Sequence, residues 1–408
     1  MSATTVAAGE GFVPPTYPFD RLKPLEARAS CLPGGLVDLS VGTPCDPPPP
    51  AVVAALGSSG AERGYPAGAG SPRLIDAARG WIERRFGIAV SRDAVAACVG
   101  TKELVAGVPH WLRLRRPERD TVLYPAVSYP TYAMGAVLAR CRAIPVPART
   151  DGTLALEQVS AADAARAVCL WVNSPANPTG RLDDLGAAAL FGRAHGVPVL
   201  SDECYAEFTW NGPPRTILEH GVDGVLAVHS ISKRSNCAGV RVGFYAGDPD
   251  LVGYLRELRR HAGLMVAGPA QLAGAVSLED DEHVEQQRRR YGERIEAAAV
   301  MLEGIGVTVE RPGGGFYLWV EAPRPGSSAD AEAHPDEAPE WQFARRLAEE
   351  AGALVSPGEF YGPAGRGYVR IALVQPMERI ALVAERLERA RASGQARSAA
   401  RPPAAPAR

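Results

Sequence analysis

The chain of 408 residues carries almost no net charge, with 44 lysines and arginines against 46 aspartates and glutamates, a formal balance of -2. That balance offers no electrostatic footprint for DNA or RNA, which calls for a basic patch or stripe. Cysteine is sparse and scattered. Its seven copies, at 31, 45, 98, 141, 169, 204 and 237, are odd in number and form no C-x-x-C pair. This argues against a disulfide framework and against a zinc or other metal site, and for reduced thiols. Long apolar runs are missing as well. The first twenty residues, "MSATTVAAGEGFVPPTYPFD", hold no basic region followed by an apolar one, and no later run approaches the roughly 18 apolar residues of a spanning helix. The chain reads as cytoplasmic and soluble, with no membrane partner.

What is present is an ordinary globular composition, 46% hydrophobic and 22% charged, on a chain too long for a single core, since cores stop growing near roughly 250 to 300 residues. Two domains are expected. From about residue 50 to 275, amphipathic stretches alternate with short apolar runs such as "AVCLWVN" (167 to 173), "VPVLSDE" (197 to 203) and "GVLAVHS" (224 to 230). That pattern predicts an α/β fold with helices on both faces of a mostly parallel sheet. A special residue closes each run, and Asn173, Asp202 and Ser230 fall where strands of an open sheet deliver side chains to a ligand crevice. One such residue alone reads as a turn or helix cap. Three in succession read as a site.

After about residue 280 the texture changes to a long charged amphipathic helix, then "GGGFYLWVE" and "YVRIALV" as strands with "EWQFARRLAEEAG" as a helix between them. "APRPGSSADAEAHPDEAPE" reads as a polar surface insertion. The expected organisation is an N-terminal arm and part of a small domain at 1–48, a large domain at 49–278, a small α+β domain at 279–392, and a disordered tail at 393–408, where Ala, Arg and Pro show no apolar periodicity.

The stretch "SISKRSNCAGVRVGF" places Lys233 behind Ser230 and Ser232, with Arg241 eight residues further on. A lysine beside a strand end is usually a solvated charge. Here "VGTKELV" (99 to 105), "VSYPTY" (127 to 132), "NSPANPTG" (173 to 180), "SDECYAEF" (201 to 208) and "GYVRIAL" (367 to 373) accompany it. In order and spacing this set resembles the fold-type I, class I/II aminotransferases over about residues 18 to 390. The resemblance implies a large domain with a mostly parallel seven-stranded sheet, pyridoxal 5′-phosphate as cofactor, amino-acid and 2-oxo-acid substrates, and a homodimer with shared active sites.

It also implies roles, residue by residue. Lys233 would hold the cofactor as a Schiff base and move the substrate proton. Asp202 would keep the pyridine nitrogen protonated, Tyr129 would stack on the ring, and Asn177 and Tyr205 would bond its phenolic oxygen. The phosphate would sit among Gly100, Thr101, Lys102, Ser230, Ser232 and Arg241, a helix start with hydroxyls and a guanidinium suited to an anion. Tyr65 would reach the phosphate of the neighbouring subunit, Arg370 would grip the substrate carboxylate by two parallel bonds, and Gly42 would close near that carboxylate with its backbone.

Within the superfamily, "VDLSVGTPCDPPP", "HAGLMV" and "FYGPAG" look most like actinobacterial N-succinyl-diaminopimelate aminotransferases. Departures from that pattern are Ile75 after Leu74, Val240 before Arg241, and "LVQPMER" after the arginine strand. They leave open a second reading, a cofactor-dependent eliminating, replacing or carbon–carbon bond-forming enzyme of natural-product biosynthesis, for example one acting on S-adenosylmethionine.

Overall fold

The computed structural model describes residues 12–58, 60, 63–323 and 337–399. In chain order its elements are α1 (Lys23–Ser30), β1 (Val37–Asp38), α2 (Pro50–Gly57), α3 (Pro72–Phe86), β2 (Val95–Cys98), α4 (Thr101–Arg115), β3 (Thr121–Pro125), α5 (Thr131–Leu138), β4 (Arg142–Val146), α6 (Ala161–Arg166), β5 (Ala167–Asn173), α7 (Leu185–His195), β6 (Val199–Asp202), β7 (Val225–Ser230) and α8 (Ile231–Arg234). They continue as β8 (Gly243–Gly247), α9 (Pro249–His261), α10 (Gly268–Glu279), α11 (Glu282–Gly304), β9 (Tyr317–Glu321), α12 (Pro339–Ala351), β10 (Ala353–Leu354), β11 (Ser356–Pro357), β12 (Tyr368–Ala372) and α13 (Met377–Ala399).

Seven strands form one sheet in the order β2-β8-β7-β6-β5-β3-β4. Only β8 runs against its neighbours, pairing antiparallel with β2 and β7, so the sheet is mostly parallel. Parallel strands covered on both faces read as unbroken apolar runs, and "AVCLWVN" does so because every residue of β5 is buried. From Cys169 onward its residues alternate between two cores. Leu170 and Val172 join Leu74, Trp81 and Val199 on one face, while Cys169 and Trp171 join Leu104, Val108 and Leu251 on the other.

A separate apolar cluster gathers Leu22, Leu25, Val37 and Leu39 with Ile295, Leu302, Val320, Phe343, Ile371 and Val383. Around it β11, β12 and β9 form an antiparallel sheet, and β1 pairs parallel with β10, which joins the first part of the chain to its last part. The last helix runs to Ala399. Residues 400–408 of the expected tail and 324–336 of the polar insertion lie outside the described residues. Among the described residues no helix is long and apolar enough to cross a membrane.

Candidate active site

A cavity of about 480 Å³ opens at the C-terminal ends of β5, β6 and β7. The sheet brings the expected strand-end residues together. Asn173 and Asp202 are register partners on adjacent strands, and Ser230 ends the next strand over. Lys233 follows in α8, whose start is capped by Ser230 Oγ accepting from the Ser232 amide at 3.1 Å. The amine donates to the carbonyl oxygen of Gly42. Burial pushes it down from 10.5 to about 8, because an ammonium loses its hydration there.

Asp202 is buried and accepts from the Tyr132 hydroxyl at 2.8 Å and from the Cys204 amide at 3.2 Å. Burial raises its carboxyl above the usual range, and these hydrogen bonds oppose the rise. The carboxylate has no ion-pair partner among the described residues, so it can receive a cationic N–H. Tyr132 itself stacks on Trp171 at 5.2 Å between centroids and is fully buried, which fixes its hydroxyl.

Asn173 Nδ2 donates to the carbonyl of Asp202 at 2.8 Å, and its Oδ1 accepts from the Asn177 amide at 2.7 Å. Asn177 Oδ1 in turn accepts from Arg370 at 2.8 Å, which leaves the Asn177 Nδ2 donor for another partner. Arg370 also donates to the carbonyl of Ser40 and lies over the rings of Tyr317 and Tyr361 at 4.4 and 4.8 Å. Its buried Nε has no hydrogen-bond partner among the described residues. Tyr205 and Tyr317 share a hydrogen bond of 2.9 Å between their hydroxyls, and burial pushes the Tyr205 phenol far above its ordinary value.

The start of α4 supplies the other end. Glu103 Oε1 accepts from the Val99 amide at 2.9 Å, and its carboxylate pairs with the fully buried Arg259, so the turn before the helix is pinned. Thr101 and Lys102 line the cavity with Ser230, Ser232 and Arg241, and Thr101 Oγ1 accepts from the Cys204 thiol at 3.4 Å. Lys102 Nζ lies 5.0 Å from the ring of Tyr17 and 5.9 Å from that of Tyr129.

Two expected residues stand apart. Gly100 does not line the cavity; it has φ +71°, and a Cβ there would lie 2.2 Å from an Arg241 nitrogen, so its part is to let the guanidinium approach the helix start. Tyr65 is 97% exposed and away from the cavity of its own chain. Gly42 lines the cavity, and a Cβ on it would lie 2.0 Å from the Tyr317 hydroxyl. Tyr17, Tyr132, Cys204 and Tyr317 line the cavity without having been singled out. Tyr132 and Cys204 stand inside quoted motifs, "VSYPTY" and "SDECYAEF", whereas Tyr317 reads only as a strand residue.

An amine whose pKa is lowered toward neutrality shares one cavity with a buried carboxylate, with donors for an anion at one end and a partly unpaired arginine at the other, which suits group transfer on a carbonyl compound held by a lysine. Comparison with known proteins gives the class. The family described as "Aminotransferase class I and II" matches residues 35–387, and the chain belongs to that family of transferases, which work with pyridoxal phosphate. It is 41% identical to the 4-dedimethylamino-4-oxo-anhydrotetracycline transaminase OxyQ of Streptomyces rimosus, over 91% of this chain and 99% of that one. It is 31% identical to the LL-diaminopimelate aminotransferase of Aquifex aeolicus, over 86% and 91%. The substrate-bound structure of BacF from Bacillus subtilis superposes with a TM-score of 0.82 at 27% identity, over 93% and 98%.

Proposed function

We propose that Lys233 holds pyridoxal 5′-phosphate in this cavity and that the chain uses it to move an amino group from an amino acid to a 2-oxo acid. The observation that carries the reading is the Lys233 amine, lowered to about 8, in one cavity with the carboxylate of Asp202, which has no ion-pair partner among the described residues, and the arginine Arg370. The donor set fits the cofactor. Thr101, Lys102, Ser230, Ser232 and Arg241 would hold its phosphate, Asp202 would meet the ring nitrogen, Tyr129 would cover the ring, and Asn177 Nδ2 and Tyr205 would bond its phenolic oxygen. When bound, the cofactor supplies an electron sink for the substrate carbon that loses its proton.

The chain's own residues do the rest. Arg370, with N–H donors to spare beyond its bonds to Asn177 and Ser40, would hold the substrate carboxylate. Lys233 Nζ would take the proton from the substrate Cα, since a lowered amine is uncharged more of the time at neutral pH than an exposed one. The Gly42 carbonyl, which accepts from that amine, would orient it. Asp202, buried and oriented by Tyr132, would keep the ring nitrogen protonated. The exposure of Tyr65 supports its reaching the phosphate of a second subunit, hence a homodimer with shared sites. We place the large domain at 49–278 and the small one at 279–392 with part of 1–48, working in the cytoplasm.

For the amino donor we put N-succinyl-diaminopimelate beside glutamate. LL-diaminopimelate, in the name of one relative, and a tetracycline intermediate, in that of another, mark how wide the choice is. The relatives named above are transaminases, which favours transfer over elimination or carbon–carbon bond formation. The test is a single turnover of holoenzyme with each donor alone. Stoichiometric 2-oxo acid, with the amino group left on the cofactor, is expected for at least one. Release of methylthioadenosine from S-adenosylmethionine, with every amino donor inert, would overturn the reading.

A further inference from the structure

The turn that carries Lys233 is held from behind by groups that take no part in the cavity. Arg234 is buried, and its guanidinium donates to Glu207 Oε1 at 2.9 Å, to the carbonyl of Ser277, to the carbonyl of Asp280 at 3.1 Å and to Asp281 Oδ1 at 2.7 Å. Glu207 also accepts from the Trp81 indole at 2.7 Å and pairs with Arg85 at 2.8 Å, while its backbone carbonyl accepts from Arg288 of α11 at 3.0 Å. Ser235, the next residue, accepts from Ser277 Oγ at 2.6 Å and lies 2.8 Å from His283 Nε2, whose Nδ1 is 2.9 Å from Asp280 Oδ2. Serine, histidine and aspartate in that row match a nucleophile with its base, but Ser235 is 1% exposed, out of reach of any substrate. The row holds a turn in place.

Ser277, Asp280, Asp281 and His283 all belong to the link where α10 ends and α11 begins, and α11 runs on into the apolar cluster around Ile295 and Leu302. Meanwhile α8 is four residues long, too short for its own hydrogen bonds to hold it. The position of Lys233 must therefore come from tertiary contacts, and Arg234 makes the charge-assisted ones.

We propose that Arg234 and His283 are positioning residues for Lys233, through which the α10–α11 link sets where the amine stands. The inference rests on reading Lys233 as the cofactor lysine. It is tested with the full chain by two readouts: kcat and KM of the holoenzyme, and the pH dependence with which pyridoxal phosphate is fixed on Lys233 of cofactor-free protein by borohydride, mapped by peptide mass. Arg234→Lys should lower kcat about tenfold, the loss expected when bonds to charged groups go, and His283→Ala should lower it a few-fold. Both should leave KM for the amino donor near the parent value and move the pH midpoint of fixation at Lys233.

His283 is partly exposed, so its variant keeps the test alive if Arg234→Lys does not fold. Arg311→Ala, which removes pairs with Glu296 and Glu303 along the same helix, should lower the melting temperature and leave both readouts unchanged. The proposal is overturned if the two variants change only the melting temperature, or if Arg311→Ala moves the fixation midpoint as far. Fixation on Lys23 or Lys102 in the parent protein would instead overturn the underlying assignment.

Discussion

The two walls of the cavity are built in different ways. Residues 173–241 make the first wall from the ends of three neighbouring parallel strands, so Asn173, Asp202, Ser230 and Lys233 are brought together by the sheet order itself. The second wall comes from the two ends of the chain. Ser40 and Gly42 meet Arg370 and Tyr317 there, and the Arg370–Ser40 bond spans 330 residues of sequence. The first wall carries groups suited to a cofactor, and the second carries the groups suited to a substrate. A sheet whose register is set by buried strands holds the chemistry rigidly, while a wall made by packing separate segments can vary its shape without touching that chemistry.

If the walls divide the labour in this way, variants should divide too. The largest effect is expected from Lys233→Ala, which should abolish turnover and borohydride-fixed cofactor together, since among the described residues Lys102 is the only other amine that lines the cavity. Asp202→Asn should follow, with kcat lower on the order of a hundredfold from loss of a charged hydrogen-bond partner and little change in KM. On the other wall, Arg370→Lys should raise KM for the amino acid about tenfold or more while cofactor retention, followed by its visible absorbance during dialysis, stays near the parent level. Equal loss of both properties would erase the distinction between the walls. Gly42→Ala should act in the same direction, because its Cβ must displace the Tyr317 hydroxyl. The smallest effect is expected for Tyr317→Phe, which gives up one neutral bond to Tyr205, worth about 1 kcal/mol or roughly fivefold in kcat/KM.

The same contrast explains what could be read from the sequence. Strand ends in a parallel sheet announce themselves, because an apolar run stops at a polar residue. Asn173, Asp202 and Ser230 each do so, and the sheet then aligns them. Tyr132 was hidden because a fully buried tyrosine looks like core until its hydroxyl is found on a carboxylate 70 residues away. Tyr317 was hidden for a related reason: only the packing of β9 against residue 42 shows why it is needed. Gly100 was read as part of the phosphate cup, and the motif did not announce its conformational use, the close approach of Arg241.

The whole account turns on Lys233, and the chain's only other lysines are Lys23 and Lys102, so chemical mapping is unambiguous. Cofactor-free protein is mixed with pyridoxal phosphate, reduced with borohydride at a series of pH values, and digested for peptide mass. Only the neutral amine adds to the aldehyde, and its fraction grows as pH rises through the amine's own pKa. The label should fall on Lys233, with a rate that climbs to a plateau just above about 8, the value to which burial lowers this amine. A label on Lys23 or Lys102, or a rate at Lys233 still climbing toward the ordinary 10.5, would contradict it.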